Sequence, residues 1–153
     1  MNRIFVRALV ALSLLIVPSI AATQSAKAGD LTISSAWARA MLPGQPTGGG
    51  YMTIENSGSE PDRLISITSA NAATVEIHQM SMDENVMKMR QITDGLEIPA
   101  GGKVKLSPGG LHLMFKQVKT PFQAAETVKV TLSFEKSGNI DVELPVGFTN
   151  PNE

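Results

Sequence analysis

Cysteine is absent from all 153 residues. That removes disulfides, thiolate nucleophiles and thiolate metal ligands. It also removes the sulfur on which a lipoprotein anchor is built. Aromatic residues are sparse, with one Trp and one Tyr, and there are only two His. No cluster of Lys or Arg stands in the body of the chain, so no nucleic acid is expected as a partner. Glycine pairs occur at Gly101–Gly102 and Gly109–Gly110, but no helix start follows them, so they are not phosphate cradles. Long hydrophobic runs are missing except for one near the start.

That run is "ALVALSLLIVPSIAA". Arg3 and Arg7 precede it, and small residues ending in "AKA" (Ala26 to Ala28) follow. A basic head, a short apolar stretch and an A-x-A site describe a secretory signal peptide. Pro18 interrupts the run, which falls short of the roughly 20 residues a membrane-spanning helix needs. The expectation is a leader over residues 1–28, cleaved after Ala28, and one exported periplasmic domain over 29–153. All fourteen acidic residues lie beyond Ala28, with ten of the thirteen basic ones, so that domain carries a formal charge of −4. Its length suffices to bury a core without disulfides.

Short alternating runs fill the rest. Strands are expected at 31–40, 50–57, 63–70, 74–80, 86–92, 95–99, 103–107, 111–117, 127–135 and 139–146. Turn-rich segments separate them, among them "PGQPTGGG", "NSGSEPD", "PAGG" and "SPGG". "PFQAAET" has room for one helical turn. This pattern is all-β, an antiparallel sandwich or barrel.

The sulfur is unevenly placed. Five of the seven methionines after Met1, namely Met80, Met82, Met87, Met89 and Met114, lie between His78 and Met114, in a segment that also holds both His residues. Side chains alternate along a strand. His112 and Met114 therefore share the face that Leu113 and Phe115 do not use. His78 and Met80 share the face opposite Ile77 and Gln79, and Met87 sits with Met89. A hairpin through "SMDENV", with Met82 in its turn, would bring these strands together. A methionine pair alone is usually core filler, and a lone His is usually structural. The repeated His-x-Met at 78–80 and 112–114 favours a soft-metal site. Thioether and imidazole ligands select Cu(I). Zinc fits less well, because only two His are present and Asp83 and Glu84 fall in a turn. A type 1 copper site is excluded without a Cys thiolate.

At these residues the chain resembles a known family, the periplasmic copper(I) chaperones called PCuAC, of the DUF461 group. The resemblance runs through "AWARA", "TGGGYMTIEN", "EPDRLISITS", "VEIHQMSM", "VMKMRQI", "LEIPAGGKVKLSPGGLHLM" and "VTLSFE". The family's copper motif is a His, a spaced Met and a later His-x-Met. Here ten residues (79–88) separate His78 from Met89, and twenty-two (90–111) separate Met89 from His112. The resemblance implies a cupredoxin-like antiparallel β-sandwich of Greek-key type. It implies a Cu(I) site of His78, Met89, His112 and Met114, with Met80 and Met87 as alternates. It also implies delivery to the CuA-bearing subunit of cytochrome c oxidase or to another periplasmic copper protein. The chain ends "GFTNPNE", without the His- and Met-rich tail that many members carry.

A monomeric transfer protein, not an enzyme, is therefore expected. Two rivals remain. One is a structural or adhesion sandwich whose His and Met merely pack. The other is a mononuclear copper enzyme, although no His brace, third His or carboxylate pair is present to serve it.

Overall fold

The fold is described by a computed structural model over residues 25–151. Residues 1–24 of the expected leader, and with them the membrane-anchor alternative, lie outside the described residues. The elements are β1 (Ala26–Ala28), β2 (Leu31–Arg39), β3 (Thr47–Asn56), β4 (Asp62–Thr68), β5 (Ala72–Asp83), β6 (Val86–Gln91), β7 (Leu96–Ile98), β8 (Lys103–Leu106), β9 (Leu111–Val118), β10 (Thr127–Phe134) and β11 (Gly138–Gly147). Among the described residues there is no helix. Each expected strand has a counterpart within a few residues. β1 is additional and lies at the end of the expected leader. "PFQAAET" forms a hydrogen-bonded turn, with the Glu126 N–H donating to the Gln123 carbonyl, in place of a helical turn.

Seven strands close on themselves in the order β2, β11, β10, β4, β5, β9, β3 and back to β2. β1 extends β2, β8 lies on β3, β7 on β4 and β6 on β5. The pairings are antiparallel apart from β2 with β11, which run parallel at Ala38↔Val146 and Arg39↔Gly147. Closure leaves the main run of the barrel strands without an open edge. The result is the expected all-β, cupredoxin-like architecture.

Alternation explains the core. Val128, Val130, Leu132 and Phe134 on β10 point inward, as do Ile140, Val142, Leu144 and Val146 on β11. The residues between them face water. Burying each such side chain contributes roughly 1.5–3 kcal/mol. On β9 the inward residues are Leu113 and Phe115, and on β5 Val75 and Ile77.

The glycines of "TGGGY" belong to β3, where the sequence suggests a turn. A Cβ on Gly48 would lie 2.8 Å from the Phe122 ring, and one on Gly50 2.9 Å from the Phe115 ring. Those two rings meet edge to face at 5.1 Å. The bare backbone of β3 lets this aromatic pair sit beneath it, and β9 is thereby held against β3 at Gly50↔Leu113 and Gly48↔Phe115.

Asp62 fastens the start of β4 to the turn between β10 and β11. It is buried at the start of β4 and accepts hydrogen bonds from Ser137 Oγ (2.6 Å), the Ser137 N–H (3.0 Å), the Lys136 N–H (2.9 Å) and the Arg63 N–H (2.7 Å). Burial disfavours its charge, but the Ser137 hydroxyl and these backbone donors outweigh burial and hold its carboxyl below the ordinary range. A lowered folded-state pKa adds stability that is present above the unfolded carboxyl value of about 3.9 and is lost as pH falls through the folded value. Asp62→Ala is expected to cost on the order of 1.5–3 kcal/mol at neutral pH. It should also flatten the acid limb of stability below about pH 4. Denaturant melts of both proteins from neutral to acid pH check this; parallel acid limbs would contradict it.

Candidate metal centre

The centre is set by three adjacent strands, β6, β5 and β9. Two residues shape the β5–β6 hairpin: Glu84 and Asn85 both take positive φ, 48° and 64°. That is the type I′ geometry of a two-residue hairpin, whose twist matches the strands it joins. β5 consequently continues to Asp83. Met82 stands in the strand, not in the turn, and pairs with Met87, while Met80 pairs with Met89 and His78 with Gln91. Across its other edge β5 pairs with β9, placing His78 opposite His112 and Glu76 opposite Met114.

Opposed residues share a face. His78, His112, Met80, Met89, Met114, Met82, Met87 and Glu76 therefore all lie on the side of the sheet away from the core. The opposite side carries Ile77 against Leu113 and Val75 against Phe115. The sequence parity argument and the structure agree on this face for every expected residue. The His78 and His112 rings stand with centroids 5.9 Å apart and planes tilted by 38°. Met114 follows His112 by one step along the same face. Met89 sits one rung from His78, paired with Met80. Met87 is a further rung out, toward the hairpin tip. The alternates are thus ordered by distance along the ribbon, with Met80 nearer the imidazoles than Met87.

Hydrogen bonds define the lone pairs of both rings. His112 is 8 % exposed, and its Nδ1 lies 3.0 Å from the Gly110 carbonyl oxygen. A carbonyl only accepts, so Nδ1 carries the hydrogen and Nε2 of the neutral ring keeps its lone pair. His78 Nε2 lies 2.8 Å from Glu76 Oε2. The carboxylate accepts there too, leaving the lone pair of His78 on Nδ1. That atom is buried and has no hydrogen-bond partner among the described residues. A buried polar atom without a partner is costly unless something else satisfies it.

Glu76 was not among the residues singled out from the sequence. Its carboxyl is held below the ordinary range, first by the hydrogen bond from His78 and then by Lys116, against the opposing effect of burial. Lys116 Nζ donates to Glu76 Oε1 at 3.2 Å. Both residues obey the same parity as the histidines, and E-x-H at 76–78 was the available signal. Asp83 lies on the other face, where it pairs with Lys88 at the hairpin tip. Among the described residues no three His, Asp or Glu side chains gather as a harder metal requires.

The centre thus combines two imidazole rings, each with one nitrogen engaged in a hydrogen bond and the other not, with several uncharged thioethers. Met89 is 49 % exposed, whereas Met80 and Met114 are half-buried. Such a set offers soft, neutral donors at a surface open on one side.

Comparisons with known proteins agree with this architecture. A family model described as "Putative lipoprotein LpqE-like" matches residues 31–146. "Putative lipoprotein Lxx21020" of Leifsonia xyli subsp. xyli (strain CTCB07) is 31% identical over 137 residues, covering 89% of this chain and 81% of that protein. The structure described as "Copper-bound PCuAC domain from PmoF2" superposes with a TM-score of 0.70 at 27% identity, covering 82% of this chain and 99% of that one. The solution structure of CuI-DR1885 from Deinococcus radiodurans gives a TM-score of 0.60 at 26% identity, covering 87% of each chain. With a matched model spanning most of the chain, both fold and sequence place this protein in the LpqE-like family, the PCuAC or DUF461 group.

Proposed function

We propose that this protein is a Cu(I) carrier of the periplasm, holding one copper ion at His78, His112, Met114 and Met89. The observation that carries the reading is the β5–β9 rung on which His78 Nδ1 and His112 Nε2 both keep free lone pairs, the former buried and unpartnered. Cu(I) is soft and monovalent, and imidazole with thioether suits it better than it suits zinc or harder cations. Two solved relatives support copper as the cargo: the copper-bound PCuAC domain from PmoF2 and CuI-DR1885. Export is supported by the basic, apolar and A-x-A order of residues 1–28.

The geometry also suits release. The two rings are fixed by hydrogen bonds, which hold the tautomer and aim of each lone pair. Met89 is the exposed ligand and has no such restraint, so an incoming ligand of the acceptor displaces its thioether first. The copper keeps its single positive charge throughout, and no proton need move. Nothing in the cluster requires a substrate other than the ion, which fits a transfer protein better than an enzyme. The acceptor we infer is a CuA-bearing oxidase subunit or another periplasmic copper protein, met by a monomer.

Cu(I) titration against a competing chelator tests the ligands. His78→Ala and His112→Ala are expected to remove tight binding. Met89→Ala and Met114→Ala should each weaken it about tenfold or more, which is about 1.4 kcal/mol or more. Met82→Ala should leave the tight site nearly unchanged. Melting of the apo proteins should barely respond to Met89→Ala, whereas Met52→Ala, in the core, should cost roughly 2–5 kcal/mol. Undiminished copper affinity in the histidine variants would show that the imidazoles are not ligands, and a wild type without tight binding would leave a packing-only sandwich as the better reading.

Two further outcomes follow from the same geometry. Glu76→Ala should weaken Cu(I) about 10–100-fold by freeing the His78 ring, with Glu76→Gln in between because its amide oxygen still accepts from Nε2. Equal affinity in all three proteins would show that Glu76 does not orient the ligand. Acidification should weaken binding, since protons compete for both ring lone pairs. A Cu(I) affinity that stays flat from neutral to mildly acidic pH would show that neither imidazole is a ligand.

A further inference from the structure

The proposed site uses the inner part of a longer row of sulfur. Beyond Met80 and Met89, the same face continues to Met82 and Met87, which are 65 % and 48 % exposed. Neither belongs to the hydrophobic core or packs against it. Core filling, the usual reason for a methionine, is therefore unavailable to them, in contrast to the buried Met52.

Backbone pairing decides how close these two side chains stand. The Ile92 N–H donates to the Ile77 carbonyl, so Ile77 and Ile92 are a hydrogen-bonded pair. Counting outward, 78–91, 80–89 and 82–87 are non-hydrogen-bonded pairs. Side chains are closest at such positions, with Cα atoms about 4.5 Å apart. Met82 and Met87 thus face each other at the narrow spacing, and the type I′ turn immediately beyond keeps that register.

The tip is also isolated. The last β5–β9 partners are Gln79 and Leu111, and the Met80 N–H still reaches the Gly110 carbonyl. From Ser81 to Lys88 the two strands have only each other. Lys88 and Arg90 are opposed to Ser81 and Gln79, so their charges lie on the other face. Among the described residues, neither strand of the tip carries a Lys or Arg on the sulfur face; Lys116, farther back on that face opposite Thr74, is paired with Glu76.

We propose that Met82 and Met87 form a second, weaker soft-metal site at the tip of the β5–β6 ribbon. Its ligand class is a monovalent soft cation, Cu(I) or Ag(I); the choice of Cu(I) as the natural ion rests on the function proposed above, while the tip geometry does not. Two thioethers bind such an ion without exchanging electrons or protons. With no imidazole and full access to water, the pair holds the ion loosely. It lies two rungs from His78, with Met80 and Met89 between.

The test is an Ag(I) titration of the protein carrying 13C-labelled methionine methyls. Ag(I) shares the charge and sulfur preference of Cu(I) and is stable in air. The first equivalent is expected to move the Met89 and Met114 methyl signals, and the second to move those of Met82 and Met87. Met82→Leu/Met87→Leu, which keeps the bulk of both side chains, should take up one equivalent only. His78→Ala/His112→Ala should still show the Met82 and Met87 response. The inference is overturned if the Met82 and Met87 methyls stay unmoved beyond the first equivalent. It is equally overturned if they move together with Met89 and Met114, because the tip would then be part of one site. A tip response without any Met89 or Met114 response would support the tip site and sink the inner one.

Discussion

Everything at the candidate centre depends on the register of β5 against β9. A one-residue slip of β5 would turn His78 into the core and push Ile77 into water, and a slip of β9 would do the same to His112 and Leu113. That exchange is opposed by burial of Val75, Ile77, Leu113 and Phe115 on the inner face. The Phe115–Phe122 contact beneath the bare backbone at Gly48 and Gly50 adds shape to the constraint. The hydrophobic effect, acting on one face, therefore places the two imidazoles opposite each other on the other. The polar residues then need supply only fine positioning, through Gly110 for one ring and Glu76 for the other.

Much of this is readable from alternation. β10 and β11 alternate apolar and polar residues along most of their length, so their faces are evident. The same parity, read from the sequence alone, assigns His78, Met80, His112 and Met114 to the outer face. Other features are hidden for identifiable reasons. Asp83 and Met82 look like turn residues, but the I′ turn needs only Glu84 and Asn85, and no glycine announces it. Gly48 to Gly50 look like a loop because glycine usually marks one. Here they lie in β3, where Phe122 and Phe115 leave no room for a Cβ at Gly48 or Gly50. β1 is three residues without a pattern of its own. Glu76 and Lys116 read as solvated charges, because only their cross-strand neighbours show what they hold.

The ligand set has a chemical logic suited to a carrier. Every proposed donor is neutral when bound, so the ion keeps its positive charge and is not locked in as it is among thiolates. A chain without cysteine also avoids disulfide chemistry. In the proposed site, binding strength would be adjusted by lone-pair orientation, which the Glu76–His78 and Gly110–His112 hydrogen bonds fix. Ready exchange would fall to the thioether of Met89 at the exposed edge. Family membership and the copper named for two solved relatives fit the same picture.

The central claim is that the two facing imidazoles and their thioether neighbours share one Cu(I). X-ray absorption at the copper edge, on protein loaded with one equivalent of Cu(I), tests it most directly. The account predicts a first shell containing both nitrogen and sulfur, with the sulfur contribution reduced in Met114→Ala and the nitrogen contribution reduced in His112→Ala. A first shell of nitrogen and oxygen alone, unchanged by either substitution, would contradict it.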